Sequence, residues 1–585
     1  MRLFFHSVCS MQDEPMRRVV LIGATGFFGR RLAERLATIP QIALVVTSRD
    51  EARARHAAEA ILISHKSASV DFLAFERDDP ESLDRLRQLS PWLVIDASGP
   101  FQSADYRLAR AVLDMGAHWI DLADARDYLI GFEAALDEPA RGRGLVARAG
   151  ASSTPALSDA VVASLTRGWR CIDTVDIAIT PGGAGDVGEA VIGAILSYAG
   201  SPVAIFSEGQ PAATYGWGSV RRSRIDELGV RYLSPVETSD ADLLPARVAI
   251  TSRVAFYAGL ESRVEQFGLL CLAKLRQIGV AGDLGRLAPL LRSARKLTSV
   301  MASDRGGMTV DCAGLDGDGR QICAQWKLIA EKGAGPNVPI LPALALVRAL
   351  LNGEVTSGAG PAVGILPLDA IEAEMLPPSL RTSRSSSVND HGSSLFAEAC
   401  GADAYRALPR PLRAFHDNDG VPVWAGKANI DVSRNLLARC VRFAFGFPPA
   451  GRDVPITVSV DRRAGQETWT RNFAGQRFAS RLTHESGNVV SERFGPFKIL
   501  LAIKALDERI EMPVIGWRLG PIALPRALAP KSDTREFVDE RGRFWFDVAI
   551  GLPLIGQLAH YRGWLEPKIL PARDFQDGEV AAVRL

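Results

Sequence analysis

Residues Val19–Leu36 read VVLIGATGFFGRRLAERL. An apolar strand-like run meets a turn carrying three glycines, Gly23-Ala24-Thr25-Gly26-Phe27-Phe28-Gly29, and an amphipathic helical run follows. This GxxGxxG arrangement is a variant of the dinucleotide fingerprint. Gly23 permits the tight turn, Gly26 lets backbone come close to a pyrophosphate, and Gly29 lets the helix pack on the strand. The start of the helix offers unpaired N–H groups to anionic oxygens. The stretch therefore predicts a strand, a nucleotide-binding turn and a helix that opens a βαβ repeat.

Working outward, the repeat continues to about Gly150. Strand candidates are Arg18–Ile22, Ala43–Thr47, Val70–Phe75, Trp92–Ala97, His118–Asp121 and Leu145–Ala147. Between them Phe28, Leu32 and Leu36 share one helix face, and Leu83, Leu86 and Leu89 another. Alternating strands and amphipathic helices predict a doubly wound parallel sheet.

The second strand ends Val46-Thr47-Ser48-Arg49-Asp50. An acidic residue there would bond the ribose 2′-OH of NAD, and an arginine would meet the 2′-phosphate of NADP. Ser48 and Arg49 favour NADP; Asp50 keeps NAD open. After the third strand, Glu76-Arg77-Asp78-Asp79 offers Asp78 as a partner for the adenine amino group, or the run caps the next helix. Ser98, Gly99 and Pro100 follow the fourth strand, where the small residues leave room for the nicotinamide ribose. Asp121, Asp124 and Tyr128 follow the fifth as candidates for proton transfer, the carboxylates equally readable as caps. No catalytic residue is assigned.

The whole chain has 585 residues, which at roughly 100–200 per domain predicts two or three domains. It is 47% hydrophobic and 23% charged, so neither wholesale disorder nor a fibrous repeat fits. With 68 Lys+Arg against 67 Asp+Glu, a nucleic-acid partner is disfavoured. Seven scattered cysteines, none in CxxC spacing, point to reduced thiols in a cytoplasm. Val338–Leu351 is apolar but short and broken by Arg348, so no transmembrane helix is read. Residues 1–15 are read as a dispensable, disordered leader, with Met11 or Met16 as alternative starts.

Residues 151–376 read as a second, α+β domain. It contains a helix at Gly188–Ala199, a helical region around 262–300, and a hairpin whose turn is Asp316-Gly317-Asp318-Gly319. Lys327 stands where a calcium loop needs glutamate, so no metal site is expected. Arg221, Arg222 and Arg224 are available to bind a carboxylate or are solvated. Residues 377–394 are poor in apolar side chains and read as a linker. Residues 395–570 follow as a separate β-rich α+β domain. It opens with a helix, Leu395–Ala407, and continues through strands at Ile456–Val460, Glu467–Phe473, Arg477–Leu482, Val489–Phe494 and Phe544–Ile550. Trp469, Arg471 and Phe473 share one strand face, which places Arg471 either against an anionic head group or against Glu492. A sheet curled around an apolar cavity is expected.

Four segments resemble a known family: GATGFFG, DASGPF (Asp96–Phe101), GAHWIDLAD (Gly116–Asp124) and GASSTPALSDAVV (Gly150–Val162). Together with Gly307–Leu351 they are similar to saccharopine dehydrogenase-like oxidoreductases, a group that includes trans-acting enoyl reductases. The resemblance implies a Rossmann domain with an inserted α+β domain that carries the substrate side and dimer contacts. It does not imply saccharopine as substrate. Residues 395–570 resemble domain of unknown function 4166 through ALPRPLRAFH, TWTRNFAGQRFAS, SERFGPF and RFWFDVAIGLPLIGQLAHYRGWL.

Other chemistries lack their residues. No tyrosine has the lysine four positions on that short-chain dehydrogenases use, and GxSxG, HExxH and P-loop motifs are absent. The expectation is an NAD(P)-dependent oxidoreductase acting on an enoyl, imine or carbonyl group of a small, lipid-like substrate. The alternatives are a non-catalytic nucleotide-sensing or lipid-binding protein and an amine-forming synthase.

Overall fold

The computed structural model describes residues 16–567 except 78, 103, 184–188, 208, 226, 283, 288–301, 319, 377, 389–393, 418–422, 434, 446, 464–465, 507 and 554. The expected leader and Asp78 lie outside the described residues. Two compact units form, Met1–Gly314 with Ile322–Ser387 and Leu315–Gln321 with Val388–Leu585.

The first sheet is built from β1 (Arg17–Ile22), β2 (Ile42–Ser48), β3 (Ser69–Ala74), β4 (Leu93–Asp96), β5 (His118–Asp121) and β6 (Val146–Ala149). Their order is β3-β2-β1-β4-β5-β6, all parallel, as in dinucleotide-binding folds. Side chains alternate between two cores. Val19 and Leu21 face one layer with α1 (Gly29–Leu36), whereas Val20 and Ile22 face the other with α4 (Arg107–Asp114) and α5 (Arg126–Gly142). This double burial makes the strands read as continuous apolar runs.

A seventh strand extends this sheet from a distance in sequence. β15 (Gly358–Pro361), expected within the second domain, pairs parallel with β6, Gly358 opposite Val146. The apolar helix Leu341–Leu351 likewise belongs to the α1 layer, with nine of its eleven residues buried. Each Leu or Val so buried contributes about 1.5–3 kcal/mol. Among the described residues no helix is long and apolar enough to cross a membrane.

The inserted part carries a mixed nine-stranded sheet from β7 (Cys171–Thr180), β8 (Pro202–Ser207), β9 (Gln210–Tyr215), β10 (Arg221–Ile225), β11 (Gly229–Pro235), β12 (Ile250–Ala258), β13 (Gly306–Leu315), β14 (Gln321–Ala330) and β16 (Leu380–Val388). The expected hairpin is β13–β14, and the carboxylates of its turn are engaged by the turn itself. Asp316 accepts from the amides of Asp318 and Arg320, and Arg320 ion-pairs with both aspartates. Leu380–Val388 corrects the linker expectation, since it forms the edge strand β16 beside β14.

The second unit begins with two short helices, Leu395–Cys400 and Ala402–Ala407, rather than one. Gly401, at φ +81°, separates them. Its antiparallel sheet comprises β17 (Trp424–Val432), β18 (Gly451–Arg463), β19 (Gln466–Phe473), β20 (Gln476–Ser486), β21 (Val489–Phe494), β22 (Phe497–Ala502), β23 (Lys504–Leu506), β24 (Arg509–Glu511), β25 (Val514–Leu519), β26 (Ile522–Ala523), β27 (Lys531–Val538), β28 (Phe544–Leu552) and β29 (Gly556–Pro567). The two ends of this sheet meet in one kinked hairpin. β22 runs through Ile503 into β23, and β24 through Met512-Pro513 into β25. β22 pairs with β21 and β24 pairs with β27. Ala502 N–H donates to Pro513 O and Met512 N–H to Thr534 O across the kinks, both at 3.0 Å. The sheet therefore closes into a barrel, which leaves few unpaired edges.

Candidate functional site

The glycine turn sits at the carboxyl end of β1, in the crevice where strand order reverses between β1 and β4. Gly23 has φ +76°, and a Cβ there would lie 2.8 Å from Ser98 Cα. The turn is thus pressed against the end of β4. A Cβ on Gly29 would lie 2.1 Å from Gly23 O, so only glycine lets α1 start this close to the strand. Ala24 is buried beneath, while Thr25, Gly26 and Phe27 are exposed.

Helix starts differ in a telling way. α2 (Glu51–Ser64) is capped by Asp50, which accepts from Arg53 N–H, and α3 (Pro80–Gln88) by Asp79, which accepts from Glu81 and Ser82 N–H. α1 starts at Phe28 with no side-chain cap and no acidic residue in its first turn. The amides of Phe27 and Phe28 take no partner among the described residues. Unsatisfied N–H groups and the positive end of the helix dipole suit a phosphate.

Ser48 is half-buried at the end of β2 and its Oγ accepts from Asp50 N–H at 3.3 Å. Arg49 is exposed and has no ion-pair partner among the described residues. With the Asp50 carboxylate committed to α2, Arg49 is the charged group left at this strand end. Asp79, next to the undescribed Asp78, takes the capping role.

Asp96, fully buried at the end of β4, organises the opposite wall. Its Oδ1 accepts from Ser98 N–H at 2.9 Å and Ser98 Oγ at 2.6 Å, and its other oxygen pairs with Arg77. Arg77 lies over the Phe101 ring at 5.8 Å, and its buried Nε has no partner among the described residues. Gly99 and Pro100 stay exposed beyond this anchor. A glycine cradle, uncapped amides, a spare Arg49 and an orphaned Arg77 Nε fit a dinucleotide. Neither Arg77 nor Asp96 was legible as part of the site, because each sits in a run whose bland reading is capping or strand ending.

The three proton-transfer candidates separate. Asp121 is fully buried; its Oδ1 accepts from the amides of Ala123 and Gly150, and its Oδ2 from Trp119 Nε1 and the Tyr128 hydroxyl. Burial pushes its carboxyl up to about 6, and burial beside Asp121 pushes the Tyr128 phenol up as well. These two groups are tied to each other. Asp124 is exposed at its surface, with protein packed around its carboxyl. That crowding raises its pKa.

Near Asp124 the inserted domain contributes groups that sequence spacing does not connect. Tyr198, at the end of α7 (Glu189–Tyr198), lies near Gln102 and within electrostatic reach of Glu237, Asp124 and Asp127; burial first, then Glu237, raises its phenol. Arg126 grips Asp242 of α8 (Asp240–Arg247) with two bonds of 2.6 and 2.7 Å, holding the start of α5 to the inserted domain. Of the three arginines offered for carboxylate binding, Arg221 is engaged by Asp176 at 2.8 Å and stacks on Tyr257, and Arg222 and Arg224 are exposed. Among the described residues no group of three His, Cys, Asp or Glu is placed to hold a metal.

In the second unit the sheet encloses an apolar cavity of about 390 Å³. Arg471 lines the cavity and pairs with Glu492 at 3.4 Å, the second of its two expected partners.

Residues 408–565 match the family described as Domain of unknown function (DUF4166). No curated protein matches the chain in sequence. Among solved structures it is similar to apo saccharopine dehydrogenase (L-Glu forming) from Saccharomyces cerevisiae, at 12% identity and TM-score 0.44, over 64% of this chain and 100% of that one. It is similar also to GenD2 from gentamicin A biosynthesis in complex with NAD, at 14% identity and TM-score 0.31, over 61% of this chain and 91% of that one. A meso-dapdh variant with DAP from Clostridium tetani E88 is similar at 13% identity and TM-score 0.33, over 62% of this chain and 97% of that one.

Proposed function

We propose that the first unit is an NAD(P)-dependent oxidoreductase, with NADP favoured, acting on an enoyl, imine or carbonyl group of a small, lipid-like molecule. The observation that carries this reading is the uncapped start of α1 beside the glycine cradle, where α2 and α3 are both capped by aspartate. The amides after Gly26 would hold the pyrophosphate, and Ser48 and Arg49 the adenosine 2′-phosphate. Ser98, Gly99 and Pro100, fixed by Asp96, would border the nicotinamide ribose. When bound, the dinucleotide supplies or accepts the hydride.

The chain's own part is to orient both reactants and move one proton. Asp124 is the group proposed for it, because Asp121 and Tyr128 are bonded to each other. Asp124 is exposed to solvent, and the protein packed around its carboxyl raises its pKa toward the range where a carboxyl can exchange a proton with substrate. Tyr198 and Gln102 stand near it as neutral hydrogen-bonding groups that would orient a polar substrate atom.

Incubating the full chain with NADPH and a panel of enoyl, imine and carbonyl compounds tests the proposal by loss of NADPH absorbance. Turnover of one class is the expected result. Tight nucleotide binding without turnover of any would favour a nucleotide-sensing protein, a reading that the mutual engagement of Asp121 and Tyr128 also supports.

A further inference from the structure

The barrel interior is almost wholly apolar, with Val458, Leu482, Ile499, Leu501, Phe546 and Val548 among its walls. A cavity of about 390 Å³ falls in the ~300–1,000 Å³ range of small-molecule sites. The charges inside it are matched. At one place His416 Nε2 bonds Glu536 at 2.6 Å. At another Arg471 donates to Ser480 Oγ at 2.9 Å and to Glu492 Oε1 at 3.4 Å, while the Ser480 hydroxyl donates to the same Glu492 oxygen at 2.6 Å. The Arg471 guanidinium also lies over Trp469 and Phe478.

This arrangement leaves specific valences open. Glu492 accepts through Oε1, and its Oε2 has no partner among the described residues. The Tyr561 hydroxyl has none either, although it lines the same cavity and lies within electrostatic reach of Arg471 and Glu492. Burial pushes the Tyr561 phenol up to about 12, so it remains a neutral donor and acceptor. The cavity thus presents an acceptor and a hydroxyl within electrostatic reach of each other, and its cation is already paired.

An alcohol hydroxyl has one donor and two acceptor lone pairs, which suits this pair of open groups. A carboxylate would set a second negative charge beside Glu492 in apolar surroundings, where like charges repel strongly and desolvation is costly. A ketone would leave Glu492 Oε2 unmet. We propose that the barrel is a binding site for a neutral lipid alcohol, whose chain fills the apolar walls and whose hydroxyl bridges Glu492 and Tyr561. The site concerns the barrel alone and stands whether or not the first unit turns over a substrate.

The test uses the full chain and a neutral fluorescent probe, N-phenyl-1-naphthylamine, displaced at pH 8 by dodecanol, dodecan-2-one or dodecanoate. Dodecanol is expected to displace the probe at a concentration at least about tenfold lower than dodecanoate, with the ketone between them. Glu492→Gln frees Arg471, and is expected to improve dodecanoate by about tenfold and bring it level with or ahead of the alcohol. Val548→Trp fills the cavity and is expected to abolish probe uptake while thermal unfolding remains cooperative. Should Glu492→Gln not fold, the wild-type order of alcohol and acid still decides. Dodecanoate binding as well as dodecanol, no probe uptake by the wild type, or uptake undiminished in a folded Val548→Trp would each overturn the proposal. None of these readouts involves a nicotinamide, so their failure is distinct from failure of the oxidoreductase reading.

Discussion

Replacing Gly29 by alanine probes the cradle through its tightest contact. The new Cβ would stand 2.1 Å from Gly23 O, whereas ordinary contact begins at 3.4 Å. Its three nearest atoms, Gly23 O, Gly23 C and Ala24 Cα, are all backbone, so no side chain can swing aside. The start of α1 must therefore retreat by about 1.3 Å, the difference between those distances. Overpacking of this kind costs about 1–3 kcal/mol of stability. It also carries the amides of Phe27 and Phe28 away from the crevice. A hydrogen bond near ~2.9 Å lengthened that far is lost, and one bond to a charged group is worth about 1.5–3 kcal/mol. NADPH affinity should fall about 10- to 100-fold. Gly26→Ala is the matched control: its Cβ meets Gly23 O at 3.1 Å, a clash relieved by a few tenths of an ångström. That variant should unfold near the wild-type temperature yet bind nucleotide more weakly, because the methyl group stands where the pyrophosphate approaches. Calorimetric titration with NADPH, paired with thermal unfolding, reads both quantities. Wild-type affinity in a Gly29→Ala protein of wild-type stability would refute the packing argument.

Three further outcomes follow from the same geometry. Arg49→Ala should weaken NADPH by about 10- to 100-fold and leave NADH within about twofold, measured by calorimetry; equal losses for both would remove the 2′-phosphate role. Asp124→Asn should lower kcat by about 10²- to 10⁴-fold with NADPH affinity retained, and should abolish the limb of the pH–rate profile that reports its proton; an unchanged profile would acquit the residue. Burial raises the Asp240 carboxyl to about 6, so the folded state keeps a proton that the unfolded chain releases near its ordinary value of 3.8. Stability should therefore fall as pH rises through this window, by at most about 3 kcal/mol, and Asp240→Asn should flatten the fall; denaturant unfolding at pH 4 and pH 8 measures it.

How much of this was readable in advance follows from the range of each interaction. The glycine turn and the strands flanking it were legible because their signals are local: an apolar run, small residues at fixed spacing, then helical periodicity. β15 was not, because Gly358 reaches Val146 only by returning across the inserted domain. β16 read as a linker because seven of its nine residues are exposed, so an edge strand held by backbone bonds left no apolar alternation. Barrel closure was hidden for a related reason, as it depends on one hairpin changing partners at Ile503 and Pro513. Among the proposed site positions, Ser48, Arg49 and Ser98 were read from strand ends. The Arg77–Asp96 pair and the Tyr198–Gln102 contact join segments whose sequence carries no mutual signal.

The central claim is that the uncapped glycine turn at the head of α1 holds a nicotinamide dinucleotide. Calorimetric titration of the full chain with NADPH and NADH tests it most directly. One site per chain, tighter for NADPH, is the predicted result; no binding of either nucleotide would contradict it.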